Sequence, residues 1–160
     1  MDSSLIVIGL IIFILIVVLP MTIKIVPEWE RGVILRLGRL VSTKGPGFFI
    51  IIPFVDRMIK VDLRTLPMDV PPQDVITKDN VTVRVDAVVY FRVIDPEAAI
   101  VKISDHIRAT SLIAQTTLRN ILGQSELDEL LAQREMLNQK LQKVSDEQTD
   151  PWGVKVSIVE

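Results

Sequence analysis

The sequence predicts an α+β fold in which a small antiparallel sheet and several helices follow an N-terminal transmembrane helix. Three observations predict it: a long uncharged apolar segment opens the chain, strands with two-residue alternation follow, and helical periodicity dominates the second half. Once the apolar segment is set aside, the remainder has the usual size of one compact domain. We therefore assign residues 1–23 to a membrane anchor and residues 24–160 to a single domain.

Composition excludes several classes of function. The net charge is −2 and acidic and basic residues are interspersed, so no basic face for nucleic acid is expected. The chain contains no cysteine, which excludes disulfides, thiol catalysis, cysteine-ligated metals and S-acylation.

The apolar segment LIVIGLIIFILIVVLPMTI runs from Leu5 to Ile23 without a charged residue. As a helix it would be about 28 Å long, close to the roughly 30 Å of a bilayer's hydrocarbon core. A cleaved signal peptide needs a basic start and a small-residue cleavage site, whereas this chain begins with Asp2 and continues with Lys24. An uncleaved signal anchor is therefore predicted. The residues assigned to the membrane are Leu5, Ile12, Phe13, Val18 and Ile23.

The flanking charges predict the orientation of the anchor. Its amino side carries no lysine or arginine, whereas Lys24, Arg31, Arg36 and Arg39 follow it closely. By the positive-inside rule the chain crosses the cell membrane once and its globular part faces the cytoplasm. Pro20 lies near the inner end of the segment, where a lost backbone hydrogen bond kinks the helix or helps to end it. A tolerated kink and a functional re-entrant bend are the two interpretations.

The first strands after the anchor are short. They are predicted at residues 22–26, 33–37 and 58–63. Between the last two, a Gly-Pro-Gly turn at 45–47 leads into an almost purely apolar run at 48–55.

The apolar run has two interpretations. It is too short to span a membrane as a helix, and Pro53 disfavours a central strand. Burial in the core of the domain is one interpretation. The other is contact with the near leaflet, because the first strand follows the anchor with hardly any linker. The candidate membrane-contact residues are Phe48, Phe49, Ile50, Ile51 and Ile52.

The second half begins with a stretch that Pro67, Pro71 and Pro72 are expected to break up. Residues 77–80 supply turn chemistry. After them, residues 81–93 alternate between apolar and mostly polar side chains over thirteen positions, which predicts a long antiparallel strand with one buried face.

Three helices and a final strand complete the prediction. The helices are expected at 96–101 after an N-cap at Asp95, at 105–122, and from a cap at Ser125 onward. The third helix carries an apolar stripe of Leu127, Leu130, Leu131, Leu137, Leu141 and Val144. A last alternating strand begins at Val154. The sequence stops within it at Glu160, so we expect the chain to be a fragment of a longer protein.

No catalytic, cofactor or metal site is predicted. His106 is the one histidine, and no pattern of carboxylates at ligand spacing accompanies it. No serine stands in a GxSxG elbow, and the glycines at 45–47 lead into a strand rather than a helix. An enzyme is therefore not expected.

Six motifs, in order along the chain, carry a family resemblance. They are ERGVILRLGR (30–39), GPGFFIIIPFVDR (45–57), VDLRT (61–65), ITKDNVTVRVDAVVYFRVIDP (76–96), LRNILGQSELDELLAQR (118–134) and DPWGVKV (150–156). Together they resemble the stomatin branch of the stomatin/prohibitin/flotillin superfamily, whose domain is called Band 7 or SPFH. The prokaryotic stomatin-like proteins, or slipins, are especially similar. The resemblance covers the chain from Lys24 onward.

The resemblance implies a mixed α+β domain that is followed, in full-length relatives, by a long coiled coil. It implies no enzymatic activity and assembly into homo-oligomeric rings or cages. The implied function is a scaffold that organises membrane microdomains and recruits or regulates membrane proteins such as proteases or channels. In prokaryotes an NfeD-type membrane protein is an implied partner. Two features depart from the family: eukaryotic members carry acylated cysteines, and their membrane segment is a hairpin for which Pro20 is only a loose counterpart.

Charged surface residues of the long strand and the third helix are candidates for contacts between subunits, with ordinary solvated surface as the alternative. The candidates are Arg84, Asp86, Arg92, Glu126, Glu129 and Arg134. A low-order regulatory module that binds a membrane protease is the alternative function.

Overall fold

A computed structural model describes residues 3–159, apart from the side chain of Ile158. It has the α+β architecture expected from the sequence, with small antiparallel sheets, several helices and an N-terminal apolar helix. The chain divides into two compact units between Val61 and Asp62.

The first unit holds the apolar helix and five strands. Its elements are α1 (Ser3–Thr22), β1 (Ile23–Val26), β2 (Glu30–Arg36), β3 (Arg39–Lys44), β4 (Gly47–Ile50) and β5 (Asp56–Asp62). β1 pairs antiparallel with β4, and the other three strands form a sheet in the order β3-β2-β5. The small core of this unit consists of Val26, Val33, Ile34, Ile51 and Val61.

The strand β3 was not predicted from the sequence, and the turn that leads into it explains why. Leu37 and Gly38 both have positive φ angles, 50° and 82°, and together they join β2 to β3. Two consecutive positive φ angles are typical of the tight hairpin turn whose twist matches that of paired strands. Leucine rarely adopts this conformation, so the dipeptide does not stand out as a hairpin signal.

The second unit consists of a three-stranded sheet covered by helices. Its elements are β6 (Leu66–Ile76), β7 (Thr82–Val93), α2 (Pro96–Val101), α3 (His106–Gly123), α4 (Leu127–Ala132), α5 (Arg134–Thr149) and β8 (Val154–Val159). β7 lies between β6 and β8 and is antiparallel to both. α3 and α5 contribute the helical side of the core and all three strands contribute the other side, with Leu118, Leu141 and Val89 among the buried residues.

The prediction that prolines break up the stretch before β7 is wrong, because residues 66–76 form the strand β6. Within residues 3–159, β6 is an edge strand that pairs with β7 alone. A proline on such a strand can place the nitrogen that lacks a hydrogen on the side away from β7. The register shifts between Val70 and Gln73, and Pro71 and Pro72 lie within this irregularity. A bulge at the sheet edge therefore accommodates the two prolines.

The predicted third helix is two helices, α4 and α5, separated at Gln133, which has φ −124° and ψ 40°. The predicted cap is also wrong. The Ser125 hydroxyl donates to the carbonyl of Ile121 at 2.9 Å, so Ser125 binds the last turn of α3 and does not cap α4. At the start of α4 the backbone N–H of Glu126 donates to a carboxylate oxygen of Glu129 at 3.2 Å.

The predicted cap at Asp95 is confirmed, and the next helix begins with an aspartate cap that the sequence analysis did not predict. The Asp95 carboxylate accepts hydrogen bonds from the backbone N–H groups of Glu97 and Ala98, at 3.1 and 3.2 Å. The Asp105 carboxylate accepts one from Arg108 at 3.0 Å. In both cases an aspartate satisfies helix N–H groups that have no partner within the helix.

Candidate membrane-contact surface

The helix α1 is long and apolar enough to cross a membrane. Its 20 residues would extend about 30 Å, the hydrocarbon thickness of a bilayer. No side chain of α1 is buried against the rest of residues 3–159. Leu5, Ile12, Phe13 and Val18 lie on this helix, whereas Ile23 is the first residue of β1.

Pro20 lies inside α1 and does not end it, since the helix continues to Thr22. The Thr22 hydroxyl donates to the carbonyl of Val18 at 3.0 Å. The helix then passes directly into β1 with no intervening residue. A strand that begins where the apolar helix ends cannot move far from the plane in which that helix ends.

The strands β1 and β4 form a two-stranded ribbon with an exposed apolar face. Ile23 is opposite Ile50 and Ile25 is opposite Phe48. Opposed residues of an antiparallel pair share one face. All four side chains are exposed, Phe48 by 61% and Ile50 by 71%. We call Ile23, Ile25, Phe48 and Ile50 the ribbon face.

The structure separates the five candidate contact residues of the apolar run. Phe48 and Ile50 belong to the ribbon face and Ile52 is exposed. Phe49 is opposite Lys24 on the other side of the ribbon and is half-buried. Ile51 is buried in the core of the first unit. Complete burial of the run, one of the two interpretations of the sequence, is therefore wrong, because only alternate residues point inward.

Sequence reasoning missed two exposed residues near this surface. Ile25 was assigned only to a strand, and its place on the ribbon face depends on the pairing of β1 with β4. Phe54 is 88% exposed and has a positive φ of 67°. A bulky residue in this conformation is uncommon. No signal in the sequence distinguishes Phe54 from a core residue, since its neighbours are also apolar.

Asp56 fixes the turn that carries Phe54. Its carboxylate receives two hydrogen bonds from the Arg36 guanidinium, at 2.7 and 3.2 Å, and one from the backbone N–H of Ile52 at 3.1 Å. The N–H of Asp56 donates back to the carbonyl of Ile52 at 2.8 Å. The bonds from Arg36 and Ile52 hold the pKa of the Asp56 carboxyl below its ordinary value. We call this arrangement the Arg36–Asp56 clip.

The six candidate subunit-contact residues all lie in the second unit, and the structure does not bring them together as one patch. Glu126 lies 3.8 Å from Lys78, and the Glu129 carboxylate binds the start of α4. Arg84 lies 3.8 Å from Asp74 on the neighbouring strand β6. These exposed contacts are worth little energetically.

Asp86 and Arg134, two of these candidates, line one cavity of about 120 Å³ between β7 and the helices. The cavity walls also include apolar residues of α3 and α5, among them Leu118 and Leu141. Arg92 lies further along β7, where its side chain is exposed and has no ion-pair partner within residues 3–159.

His106 occupies the first position of α3. Burial lowers its pKa, and the neighbouring Asp105 opposes that effect in part. Within residues 3–159, no group of three or more histidine, cysteine, aspartate or glutamate side chains is placed to hold a metal ion.

Comparison with known proteins gives a match over most of the chain. Residues 24–160 match the family described as SPFH domain / Band 7 family. A stomatin homologue from Pyrococcus horikoshii is 55% identical over 95% of this chain and 57% of its own length. Stomatin from Mus musculus is 51% identical over 86% of this chain and 49% of its own length.

A third relative, mechanosensory protein 2 from Caenorhabditis elegans, is 54% identical over 88% of this chain and 30% of its own length. Archaeal and animal proteins thus share more than half of their residues with this chain in the matched region. The chain spans less than two thirds of the length of each of these curated relatives.

Proposed function

Because this chain belongs to the SPFH domain / Band 7 family and is a stomatin-type membrane protein, we propose that it acts as a membrane-anchored scaffold. In this proposal copies of the chain assemble side by side at the cytoplasmic surface of the cell membrane. The assembly organises membrane microdomains and recruits or regulates other membrane proteins, such as proteases or channels. The family is generally non-enzymatic, and the proposal assigns no catalytic step to this chain.

The direct passage from α1 into β1 is the observation that carries the proposal. An anchor without a linker holds the first unit against the bilayer, and the ribbon face then offers apolar surface to the near leaflet. Withdrawal of apolar surface from water is worth about 25 cal/mol per Å². A domain held flat in this way has a restricted orientation, which favours lateral contact with neighbouring copies over contact in solution.

Chemical crosslinking of the full-length protein in native membranes tests the assembly. A ladder of high oligomers is expected. The single charge reversals Arg92→Glu and Arg134→Glu should each shorten the ladder if the candidate residues lie between subunits. Lys102→Glu, at an exposed position just after α2, changes the charge by the same amount and serves as the control. A strictly monomeric protein would exclude the scaffold. Co-purification of that monomer with a stoichiometric membrane protease would instead support the alternative regulatory module.

A further inference from the structure

A groove of about 270 Å³ lies where α1 ends and β1 begins. Its apolar lining includes Met21, the second-last residue of α1, together with Phe54 and Met58. Its charged lining consists of Lys24 and Arg57, together with Asp56 of the clip. All of these residues belong to the first unit.

The groove carries two uncompensated positive charges. The side chains of Lys24 and Arg57 make no hydrogen bond or ion pair within residues 3–159. The carboxylate of Asp56 is already engaged by Arg36 and by the N–H of Ile52. Asp56 therefore does not neutralise the two cations, and both are available to an anionic ligand.

The groove lies at the end of α1, and this position indicates which class of anionic ligand it can reach. α1 has the length of the hydrocarbon core, so the residues at its end lie at the level of the lipid headgroups. Phe54 projects from the turn that the Arg36–Asp56 clip holds, and Met21 is exposed on the last turn of α1. The groove thus joins an apolar wall to two cations at the boundary between hydrocarbon and water.

We propose that this groove binds the headgroup of an anionic phospholipid. Arg57 and Lys24 contact the phosphate oxygens, for which the guanidinium offers a planar pair of donors and the ammonium a compact charge. Met21, Phe54 and Met58 contact the glycerol region and the first carbons of the hydrocarbon chains. The inference rests on the proposed anchoring of the chain in a bilayer and adds a lipid specificity to it.

The test compares lipid selectivity in vesicles made of phosphatidylcholine and phosphatidylglycerol. The whole chain is reconstituted, and the motionally restricted fraction of spin-labelled phosphatidylglycerol is compared with that of spin-labelled phosphatidylcholine. The protein should select phosphatidylglycerol. The double variant Lys24→Gln, Arg57→Gln should lose that preference. A lysine or arginine near an anionic membrane surface strengthens binding about fivefold, so the association of phosphatidylglycerol should fall by about that factor for each cation removed.

Two control proteins distinguish the effect of the groove residues on lipid selectivity from the effect of the protein's net charge. Arg39→Gln with Lys60→Gln removes the same charge from exposed positions of the first unit outside the groove and should keep the preference. Lys24→Arg with Arg57→Lys keeps both charges and should also retain it. Equal selectivity for phosphatidylglycerol in the Lys24→Gln, Arg57→Gln variant and in the Arg39→Gln, Lys60→Gln control overturns the proposal.

Two further measurements test membrane anchoring and the source of the phosphate group. Resistance of each protein to alkaline extraction from the vesicles measures membrane anchoring separately from lipid selectivity. If the unmodified protein stays in the membrane but does not select phosphatidylglycerol, the proposed headgroup binding is wrong and the proposed anchoring is unaffected. Displacement of the labelled lipid by glycerol phosphate in solution would identify a soluble phosphate ligand and overturn the assignment to lipid.

Discussion

Asp56 holds the turn that carries the exposed side chain of Phe54. Its side chain is 3% exposed, and it joins the end of β2, through Arg36, to the turn that carries Phe54. A carboxylate that accepts a bidentate pair and a backbone N–H has little freedom to move. The clip therefore holds an exposed aromatic residue in a conformation that it would not adopt readily by itself.

The pH dependence of stability should reveal the clip. The pKa of Asp56 is lowered from its ordinary value of 3.8, so the folded state favours the charged carboxylate. The resulting stabilisation is fully present above that ordinary value and is lost as the pH falls through the lowered pKa. We expect Asp56→Asn to lower the melting temperature at pH 7 and to have progressively less effect below about pH 4.

Thermal unfolding in detergent micelles across that pH range checks this expectation. Glu28→Gln removes one negative charge from an exposed position of the same unit and serves as the control. A deficit in Asp56→Asn that persists unchanged at pH 2 would show that the charge of the carboxylate does not matter.

At the scale of elements, alternation along a strand is easier to interpret than a stripe along a helix. The long strand β7 was predicted to within one residue of its start, and Val89, Phe91 and Val93 point inward as expected. The stripe of the third helix assumed one continuous helix. The break at Gln133 rotates α5 relative to α4, so that Leu137 and Leu141 are buried while Leu131 is 71% exposed.

Truncation of Leu141 and truncation of Leu131 should have clearly different effects on the free energy of unfolding. Leu141→Ala removes a buried side chain from the core of the second unit and should cost about 2–5 kcal/mol of unfolding free energy. Leu131→Ala removes an exposed side chain and should stay within about 0.5 kcal/mol of the unmodified protein. Denaturant unfolding monitored by circular dichroism measures both. Equal losses would mean that α4 and α5 form one helix with a continuous buried stripe.

At the scale of the whole molecule, the charge asymmetry around α1 predicts which side of the membrane each end occupies. The chain has no cysteine, so single introduced thiols report their own position. We expect Thr116→Cys, on an exposed face of α3, to react with a membrane-impermeant maleimide only in inside-out vesicles. Ser3→Cys, at the start of α1, should react only from the opposite side. The reverse pattern would contradict a cytoplasmic domain.

The fold class, the apolar N-terminal helix, the family and the alternating strand β7 were predictable from the sequence, because each depends on a local pattern or on ordered motifs. The helix cap at Asp95 and the inward residues of β7 follow from neighbours within a few positions. Which residues of the apolar run are exposed could not be predicted from the sequence and is seen in the folded chain. That outcome depends on the partner and register of β4, and a shift of one residue would reverse every side chain. The Arg36–Asp56 clip and the groove at the end of α1 likewise join residues that are distant in sequence, so no local pattern predicts them.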